Sequence, residues 1–294
     1  MCDLLCALPV ATGGVTLFAK NSDRPPDEAQ IIEWLAPRVD DGCTRATHVE
    51  LAAHPDPTFG IVGSRPAWGW GLEHGVNEGG LAAGNATIYT TLDPRPASEG
   101  LTGMDLVRLV LERAGDADRA VSLLAELLAT VGQGGSGHAE GHRPYWSSFL
   151  LADPRRAYVV ETSGNVGAVE EVTAVRAISN RTTIPAFTDE VAHPRQPVGT
   201  LVQPRLDASR RVLDQRPVTV DALQAHLRSH DGGAGGWTVC MHVEEADHRE
   251  ATTSSIVAEL PVDGPPVAHL LLGSPCRGTY RRVTVTSGAG AVEV

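Results

Sequence analysis

The stretch CDLLCALPVATGGVTLFAKNSDRPP, residues 2–26, decides the fold of this chain. It begins with an apolar run, residues 2–8, and continues with a second run of strand character, residues 15–19. A Gly-Gly pair between the two runs predicts a tight turn. The two runs are therefore expected to form a hairpin, which would return the polar cluster at residues 20–24 to the side of Cys2.

Cys2 is a candidate nucleophile because cellular aminopeptidases usually remove Met1 when the second residue is small. Removal would leave a thiol and a free α-amine on one residue, with ordinary pKa values of about 8.5 and about 7.7–8.0 that permit proton transfer between them. The thiolate is the reactive form. A lone cysteine at this position is more often a small apolar residue at a frayed end. Cys6 is the rival nucleophile, but cleavage before it would remove half of the first strand.

Length, charge and cysteine content limit the classes of protein to which this chain can belong. The 294 residues are expected to form a single domain over 1–294, with enough apolar residues for a sizeable core. Lys and Arg total 24 against 36 Asp and Glu, a formal net charge of -12, which argues against nucleic-acid or anionic-membrane partners. No apolar run reaches the ~18 residues of a membrane span. Five scattered cysteines without a leader-like start favour reduced thiols in the cytoplasm.

The remaining pattern predicts an α+β protein. Apolar residues at helical spacing predict helices over residues 104–113 and 117–131, the second capped by Asp116. Residues 183–205, rich in proline and polar residues, are expected to form a long surface loop. Shorter elements are predicted as strands over residues 31–35, 48–51, 59–62, 81–86, 149–152, 158–161, 166–169, 175–179, 254–260, 268–272 and 280–285, and as helices over 206–214 and 220–230.

Several segments resemble the secernins, which belong to the dipeptidase family of cysteine N-terminal-nucleophile (Ntn) hydrolases. The opening segments CDLLCALPVAT and LFAKNSDRPPDEAQ carry the resemblance most clearly. The match is specific as far as Asn180 and weaker afterwards. Further segments follow in the family's order: SRPAWGWGLEHGVNEGGLAAGN (64–85), GMDLVRLVLERA (103–114), GQGG (132–135), SSFLLAD (147–153), VET (160–162) and AISN (177–180).

The resemblance implies a four-layer αββα sandwich of the Ntn-hydrolase type, with the nucleophile at the start of a central strand. It places Cys2 on the nucleophile and Asp23 on the acid that steers the amine in related bile-salt and penicillin-type acylases. Those relatives have an arginine three positions before this acid, where the chain has Lys20. A bidentate contact is therefore not expected there, although a cation near Cys2 would favour the thiolate.

Three later residues also fall on active-site positions of the family. The resemblance implies that the side-chain amide of Asn85 helps to form an oxyanion hole and that Asn180 is a second polar residue at the same centre. Donors of this kind are typically worth about 3–4 kcal/mol each, whereas asparagine at a strand end is otherwise a common turn former. Arg210 aligns loosely with a late active-site arginine. Arg211 is an equal candidate, and a solvated helix arginine is the alternative for both.

Aromatic and sulfur-containing residues give weaker signals. Trp68 and Trp70, beside His74, are candidate substrate-binding residues, although tryptophans that only pack are as common. Cys240 and His242 point to one face of a predicted strand. Two ligands do not make a zinc site, so a buried thiol beside a histidine is the favoured interpretation. No metal or organic cofactor is expected.

The sequence as a whole predicts an enzyme that hydrolyses a linear C–N amide, in a dipeptide or an N-acyl amine, through a Cys2 thioester. The Cys2 α-amine would act as the base. An acyltransferase that passes the same acyl group to an amine, and a non-catalytic secernin-like interaction protein, are the alternatives. The expected partner is a small-molecule amide or dipeptide substrate, and assembly into a homo-oligomer is left open.

Overall fold

The predicted hairpin is present in the computed structural model. β1 (Cys2–Ala7) pairs antiparallel with β2 (Thr16–Arg24), and the register sets Cys2 opposite Ser22. β2 is longer than the predicted run, because the polar cluster at residues 20–24 continues the strand and is buried throughout. A second strand pairs along the other edge of β2, so this cluster lies inside a sheet and not in a solvated turn.

The structure describes residues 1–39 and 42–286. Its other strands are β3 (Gln30–Leu35), β4 (Cys43–Arg45), β5 (Glu50–Ala52), β6 (Ile61–Pro66), β7 (His74–Asn77), β8 (Ala82–Ile88), β9 (Trp146–Ala152), β10 (Ala157–Ser163), β11 (Val166–Glu171), β12 (Val175–Ile178), β13 (His242–Glu245), β14 (His248–Leu260), β15 (Val267–Leu272) and β16 (Arg281–Thr284). Its helices are α1 (Pro9–Thr12), α2 (Gly103–Arg113), α3 (Ala117–Thr130), α4 (Pro185–Val191), α5 (Val198–Leu201), α6 (Gln203–Asp214) and α7 (Val220–Leu227), with a 3-10 turn at Pro275–Arg277.

The strands form two large antiparallel sheets. The first has the order β12-β1-β2-β14-β15-β16, with β13 paired to β14, and the second has the order β11-β10-β9-β8-β7-β6-β3. β4 and β5 form a separate ribbon. One apolar cluster fills the space between the sheets, with Leu4 and Phe18 from the first sheet and Val76 and Leu150 from the second. Burial of this shared face is the main force that holds the two sheets together.

Helices cover the outer face of each sheet. Leu106 and Leu124 of α2 and α3 share a buried cluster with Leu151 of the second sheet. On the other side, Leu206 and Leu223 of α6 and α7 pack in a cluster with residues of β1 and β2. The layers therefore run α, β, β, α, which confirms the predicted fold class. Among the described residues, none of the helices combines the length and apolar character that crossing a bilayer requires.

Element boundaries largely follow local sequence signals, but the prediction fails over residues 183–205 and misplaces the start of α6 and the end of α7. Asp116 caps α3 as expected, since its side chain accepts a hydrogen bond from the backbone of Arg119. Residues 183–205, however, are not an irregular loop, because they contain α4, α5 and the start of α6. Proline occupies the first turn of both α4 and α6, where its missing N–H costs no hydrogen bond.

Candidate active site

Cys2 opens β1, a central strand of the first sheet. Side chains alternate along a strand, so Cys2 shares the face of Leu4 that packs between the two sheets. The residue is 6% exposed and borders a cavity of about 900 Å³, which also touches Asn85, Asn180 and Trp237 and is called here the Cys2 pocket. Burial raises the pKa of the Cys2 thiol, and this shift is opposed by nearby positive charge.

Asn180 holds the backbone nitrogen of Cys2. The Cys2 N–H donates to Asn180 Oδ1 at 2.8 Å, and Asn180 Nδ2 donates to the carbonyl of Thr87 at 2.9 Å. The antiparallel pairing of β12 with β1 brings Asn180 to this position, two residues after Ile178, which lies opposite Leu4. Asn180 therefore bridges the two sheets at the atom that would become the Cys2 amine.

Asp23 lies on the opposite face of the first sheet from the Cys2 thiol. Its carboxylate Oδ1 accepts a hydrogen bond from Thr252 Oγ1 at 2.6 Å. The register between β2 and β14 shifts between Thr252 and Ser254, a bulge of the kind that re-aims a side chain. Asp23 Oδ2 is buried and accepts no hydrogen bond from any described residue. Asp23 Oδ2 is therefore a buried oxygen beside the chain terminus that could still accept a hydrogen bond.

Met1 occupies the space next to Cys2. Its amine donates to the Asp23 carbonyl at 3.0 Å and contacts the Glu250 carboxylate. The Asp23 N–H in turn donates to the Met1 carbonyl at 2.8 Å. The Met1 side chain packs in a small apolar cluster that includes Trp237. Burial lowers the pKa of the Met1 amine, and the nearby Cys2 and Asp23 oppose that shift.

Arg205 is a member of this site that sequence reasoning missed. It is fully buried, with Nη1 at 2.6 Å from Asp3 Oδ2 and Nη2 donating to Asn180 Oδ1 at 3.0 Å. Nη1 also lies 3.8 Å from Asp23 Oδ2. The available signal was Asp3, because an acidic residue inside a fully buried strand requires a buried cation.

Arg210, which the resemblance favours, lies elsewhere. It is on the exposed surface of α6, 3.3 Å from Asp207, and Arg211 is also exposed. The expected placement of Arg210 in the site is therefore wrong. The structure begins this helix at Gln203, three residues before the predicted start, so the prediction leaves Arg205 in a loop, although Arg205 lies three residues before the buried Ala208 on the same helix face.

Lys20 lies in the buried interior behind Cys2. Its Nζ donates to the Glu73 backbone carbonyl at 2.6 Å and lies 3.3 Å from Glu73 Oε2, a single-point contact as the lysine predicts. Arg24 lies 3.5 Å from Glu73 Oε1. Burial favours the neutral acid, but the charges of Lys20 and Arg24 outweigh it and lower the pKa of Glu73. Lys20 also acts to lower the pKa of the Cys2 thiol.

Asn85 borders the Cys2 pocket, whereas His74 does not. Asn85 Nδ2 is directed to Tyr145 Oη and Ser147 Oγ, each at 3.5 Å. The amide group expected to be a donor is thus engaged by two hydrogen bonds within the protein, both at the limit of useful length. His74 is fully buried beside Ser22 Oγ at 3.1 Å and does not border the pocket. Burial and the charge of Lys20 lower its pKa well below the usual range.

The two predicted tryptophans do not line the Cys2 pocket. Trp68 donates its indole N–H to Glu28 at 2.8 Å, and Glu28 is itself a pocket residue. Trp70 packs 4.1 Å beneath the guanidinium of Arg108, on the helical side of the second sheet. Trp237 is the tryptophan that borders the pocket, so the predicted substrate-binding positions of Trp68 and Trp70 are wrong.

Cys240 is a buried thiol with Sγ 3.5 Å from His242 Nε2, as the favoured interpretation predicts, but two further residues lie beside the pair. His230 and Cys276 lie with them in one cluster. His230 was assigned to the end of a helix, but α7 stops at Leu227 and frees the following residues.

Asp23 makes the stability of the folded chain depend on pH. Burial raises the pKa of Asp23 from 3.8 to about 6, against the lowering effects of the chain terminus and Arg205. The folded protein therefore binds this proton more tightly than the unfolded chain. The associated stability is fully present below about pH 4 and is lost as the pH rises through about 6.

We expect an Asp23→Asn variant to lack this dependence. The difference in unfolding free energy, wild type minus Asp23→Asn, should fall by up to about 3 kcal/mol between pH 4 and pH 7, at 1.36 kcal/mol per pKa unit. Urea unfolding of both proteins between pH 4 and pH 7 measures this difference. The contributions of the other titrating groups are common to both proteins and cancel. A difference that stays constant with pH would contradict the raised pKa of Asp23.

No family model matches the sequence. Solved structures of similar fold include a penicillin V acylase from Agrobacterium tumefaciens, with a TM-score of 0.58 and 14% identity over 96% of this chain and 86% of that chain. A variant of the conjugated bile acid hydrolase from Clostridium perfringens gives a TM-score of 0.54 and 12% identity over 99% of both chains. A mutant of that hydrolase gives a TM-score of 0.52 and 12% identity over 100% of both chains. These likenesses concern architecture: the chain has the αββα fold of the Ntn hydrolases.

Proposed function

We propose that this chain is a cysteine amide hydrolase whose nucleophile is Cys2 after removal of Met1. The observation that carries the proposal is the setting of the Cys2 nitrogen. It donates to Asn180 Oδ1, which Arg205 also contacts. Arg205 Nη1 in turn lies 3.8 Å from Asp23 Oδ2, which accepts no hydrogen bond from any described residue. A free amine placed there would find two fixed acceptors, while its thiol faces the pocket. The hydrolases and acylases of similar fold support the same reaction class.

The first half of the reaction follows from this arrangement. The Cys2 amine accepts the thiol proton, and the thiolate attacks the amide carbonyl carbon. The charge of Lys20 favours the thiolate, and Asp23 and Asn180 keep the ammonium oriented. The ammonium then donates its proton to the leaving nitrogen, the C–N bond breaks, and a thioester remains on Cys2.

Water completes the cycle. The neutral amine accepts a proton from water, hydroxide adds to the thioester carbonyl, and the acid departs as the sulfur recovers its proton. Asn85 would supply a donor for the oxyanion by releasing its two 3.5 Å contacts, which cost little to break. A backbone N–H would be the second donor, and the steps use only groups of this chain.

The charges at the pocket favour a small polar amide such as a dipeptide. The lining includes the acidic Glu140 and the basic Arg143, whereas Glu28 and Arg249, which also border the pocket, are already paired with Arg24 and Asp27. Arg143 makes no ion pair with a carboxylate in the described part of the chain. A zwitterion needs one partner of each sign, and this rim offers both. The dipeptidase-like assignment from the opening sequence is consistent with that preference.

Mass spectrometry of the intact protein tests the proposal. We expect purified active protein to lack Met1, and acid-quenched reactions with dipeptides to show one acyl adduct per chain on Cys2. Matched substrates that lack the ammonium or the carboxylate of the dipeptide test the charge preference. Full activity with Met1 still attached, or an adduct on another residue, would refute the mechanism. Equal rates for charged and blocked substrates would refute only the dipeptide preference.

A further inference from the structure

Four side chains that bind metals well converge outside the Cys2 pocket. His230 follows α7, Cys240 precedes β13 and His242 begins it, and Cys276 lies in the 3-10 turn after β15. One ligand atom from each residue lies within 4.8 Å of all the others. None of the four borders the Cys2 pocket, so the proposed reaction does not account for them.

The distances within this cluster fit a tetrahedral ion. Zn–S bonds of about 2.3 Å and Zn–N bonds of about 2.0–2.1 Å put sulfur and nitrogen about 3.5 Å apart on a tetrahedron. Cys240 Sγ lies 3.5 Å from His242 Nε2, and Cys276 Sγ lies 3.3 Å from the same nitrogen. The His230 ring meets the His242 ring edge-on, with centroids 5.2 Å apart, so the two imidazoles approach the centre from different directions.

The backbone around the cluster is tied together independently of these four side chains. The Cys240 N–H donates to the Ser229 carbonyl at 2.9 Å, which joins the segment after α7 to the segment before β13. Arg228 Nη1 donates to the Gly278 carbonyl at 2.7 Å and to the Pro275 carbonyl, on either side of Cys276. Three chain segments thus hold the ligands in place, as in a formed site.

We propose that His230, Cys240, His242 and Cys276 bind one Zn²⁺ ion as a structural site. Two thiolates and two imidazoles in tetrahedral positions are a donor set typical of zinc, and two thiolates neutralise the charge of the ion. With four protein ligands the site is closed, so the ion stabilises the fold and activates no water.

The proposed ion would also steady the Cys2 pocket. Met241, between two of the ligands, donates its N–H to Thr252 Oγ1 at 2.9 Å, and Thr252 Oγ1 donates to Asp23 Oδ1 at 2.6 Å. Fixing residues 240–242 therefore fixes the donor that orients Asp23. This link to activity rests on the proposed function, whereas binding of the ion does not.

Zinc content and cobalt substitution of the full chain test the site. We expect one zinc per chain after expression with zinc, and visible bands of tetrahedral, thiolate-bound Co²⁺ when cobalt replaces it in chelator-treated protein. His230→Gln changes an exposed residue and should leave the fold intact. It should weaken zinc binding at least about 100-fold, because even residues behind the ligands contribute 10–100-fold. Cys276→Ser should do the same, while Cys43→Ser, at an exposed cysteine outside the cluster, should not.

Metal content and activity separate the two proposals. Zinc bound at one per chain supports the site even if no amide is hydrolysed. Wild-type protein with free thiols and no bound zinc, a Cys240–Cys276 disulfide in place of the ion, or unchanged affinity in both His230→Gln and Cys276→Ser would overturn it. Chelation should also lower the melting temperature of the wild type and leave that of His230→Gln unchanged.

Discussion

Replacement of Cys2 by alanine is expected to lower kcat for amide hydrolysis by about 10⁴-fold or more, because it removes the nucleophile that the whole reaction uses. The fold should persist, since the side chain is small and lies at the end of β1. Initial rates with the best dipeptide of the substrate panel, together with urea unfolding, measure both effects. Cys2→Ser should also be strongly impaired, because the hydroxyl ionises far less readily than the thiol.

Cys6 provides the matched control. It is fully buried on the same strand face, and burial with a contribution from Asp153 raises its thiol pKa to about 12, so it is inert at neutral pH. Cys6→Ala should lose stability through the small cavity that it creates but retain kcat. If Cys6→Ala lost kcat and Cys2→Ala retained it, the nucleophile would be Cys6, and our assignment of Cys2 would be wrong.

Replacement of Arg205 by methionine is expected to lower the unfolding free energy by about 3–5 kcal/mol, because the Asp3 carboxylate would stay buried without its cation. Catalysis should fall as well, since Arg205 also positions Asn180 and approaches Asp23. A double variant, Asp3→Leu with Arg205→Met, removes both charges and should recover part of the lost stability while activity stays low. Recovered stability without recovered activity would show that Arg205 positions active-site groups. Recovery of both would show that its role is purely structural.

Arg210→Met is the control on the same helix. Its side chain is exposed and, within the described part of the chain, pairs with Asp207 alone, so we expect a change in unfolding free energy within about 0.5 kcal/mol and unchanged kcat. Chemical denaturation and steady-state kinetics of the two variants, side by side, decide which arginine serves the site. A larger effect at Arg210 than at Arg205 would contradict the structure.

Local sequence patterns are sufficient to predict an α+β protein and part of the site. The hairpin of residues 2–24 follows from two apolar runs and a Gly-Gly turn, and the register then sets Cys2 beside Ser22 and close to Asp23. The start of α3 is predictable from Asp116, because an N-cap residue whose side chain accepts a backbone hydrogen bond is a local sequence signal. The four-layer arrangement came from the resemblance, since periodicity does not state which faces meet.

The rest of the site depends on contacts between distant segments. Arg205 meets Asp3 across 202 positions, and only the packing of α6 on β1 brings them together. The predicted substrate-binding roles of Trp68 and Trp70 are wrong for a similar reason. Residues distant in sequence decide whether a side chain faces a pocket or packs against a helix. His230 and Cys276 joined Cys240 and His242 only once α7 and the 3-10 turn were placed. Sequence spacing carries no information about such meetings.

If removal of Met1 activates Cys2 as proposed, the contacts of Met1 in the folded chain bear on when that removal would occur. The Met1 amine is buried against Asp23 and Glu250, and the next residue is already hydrogen-bonded to Asn180. An aminopeptidase needs an extended end, whereas in the folded chain the Met1 amine is held by the Asp23 carbonyl and the Glu250 carboxylate. If Cys2 is the nucleophile proposed above, trimming and folding would therefore compete, and a molecule that folded first would keep Met1 in these contacts. Rapid overproduction should enlarge the fraction of such molecules without changing the turnover of the trimmed molecules.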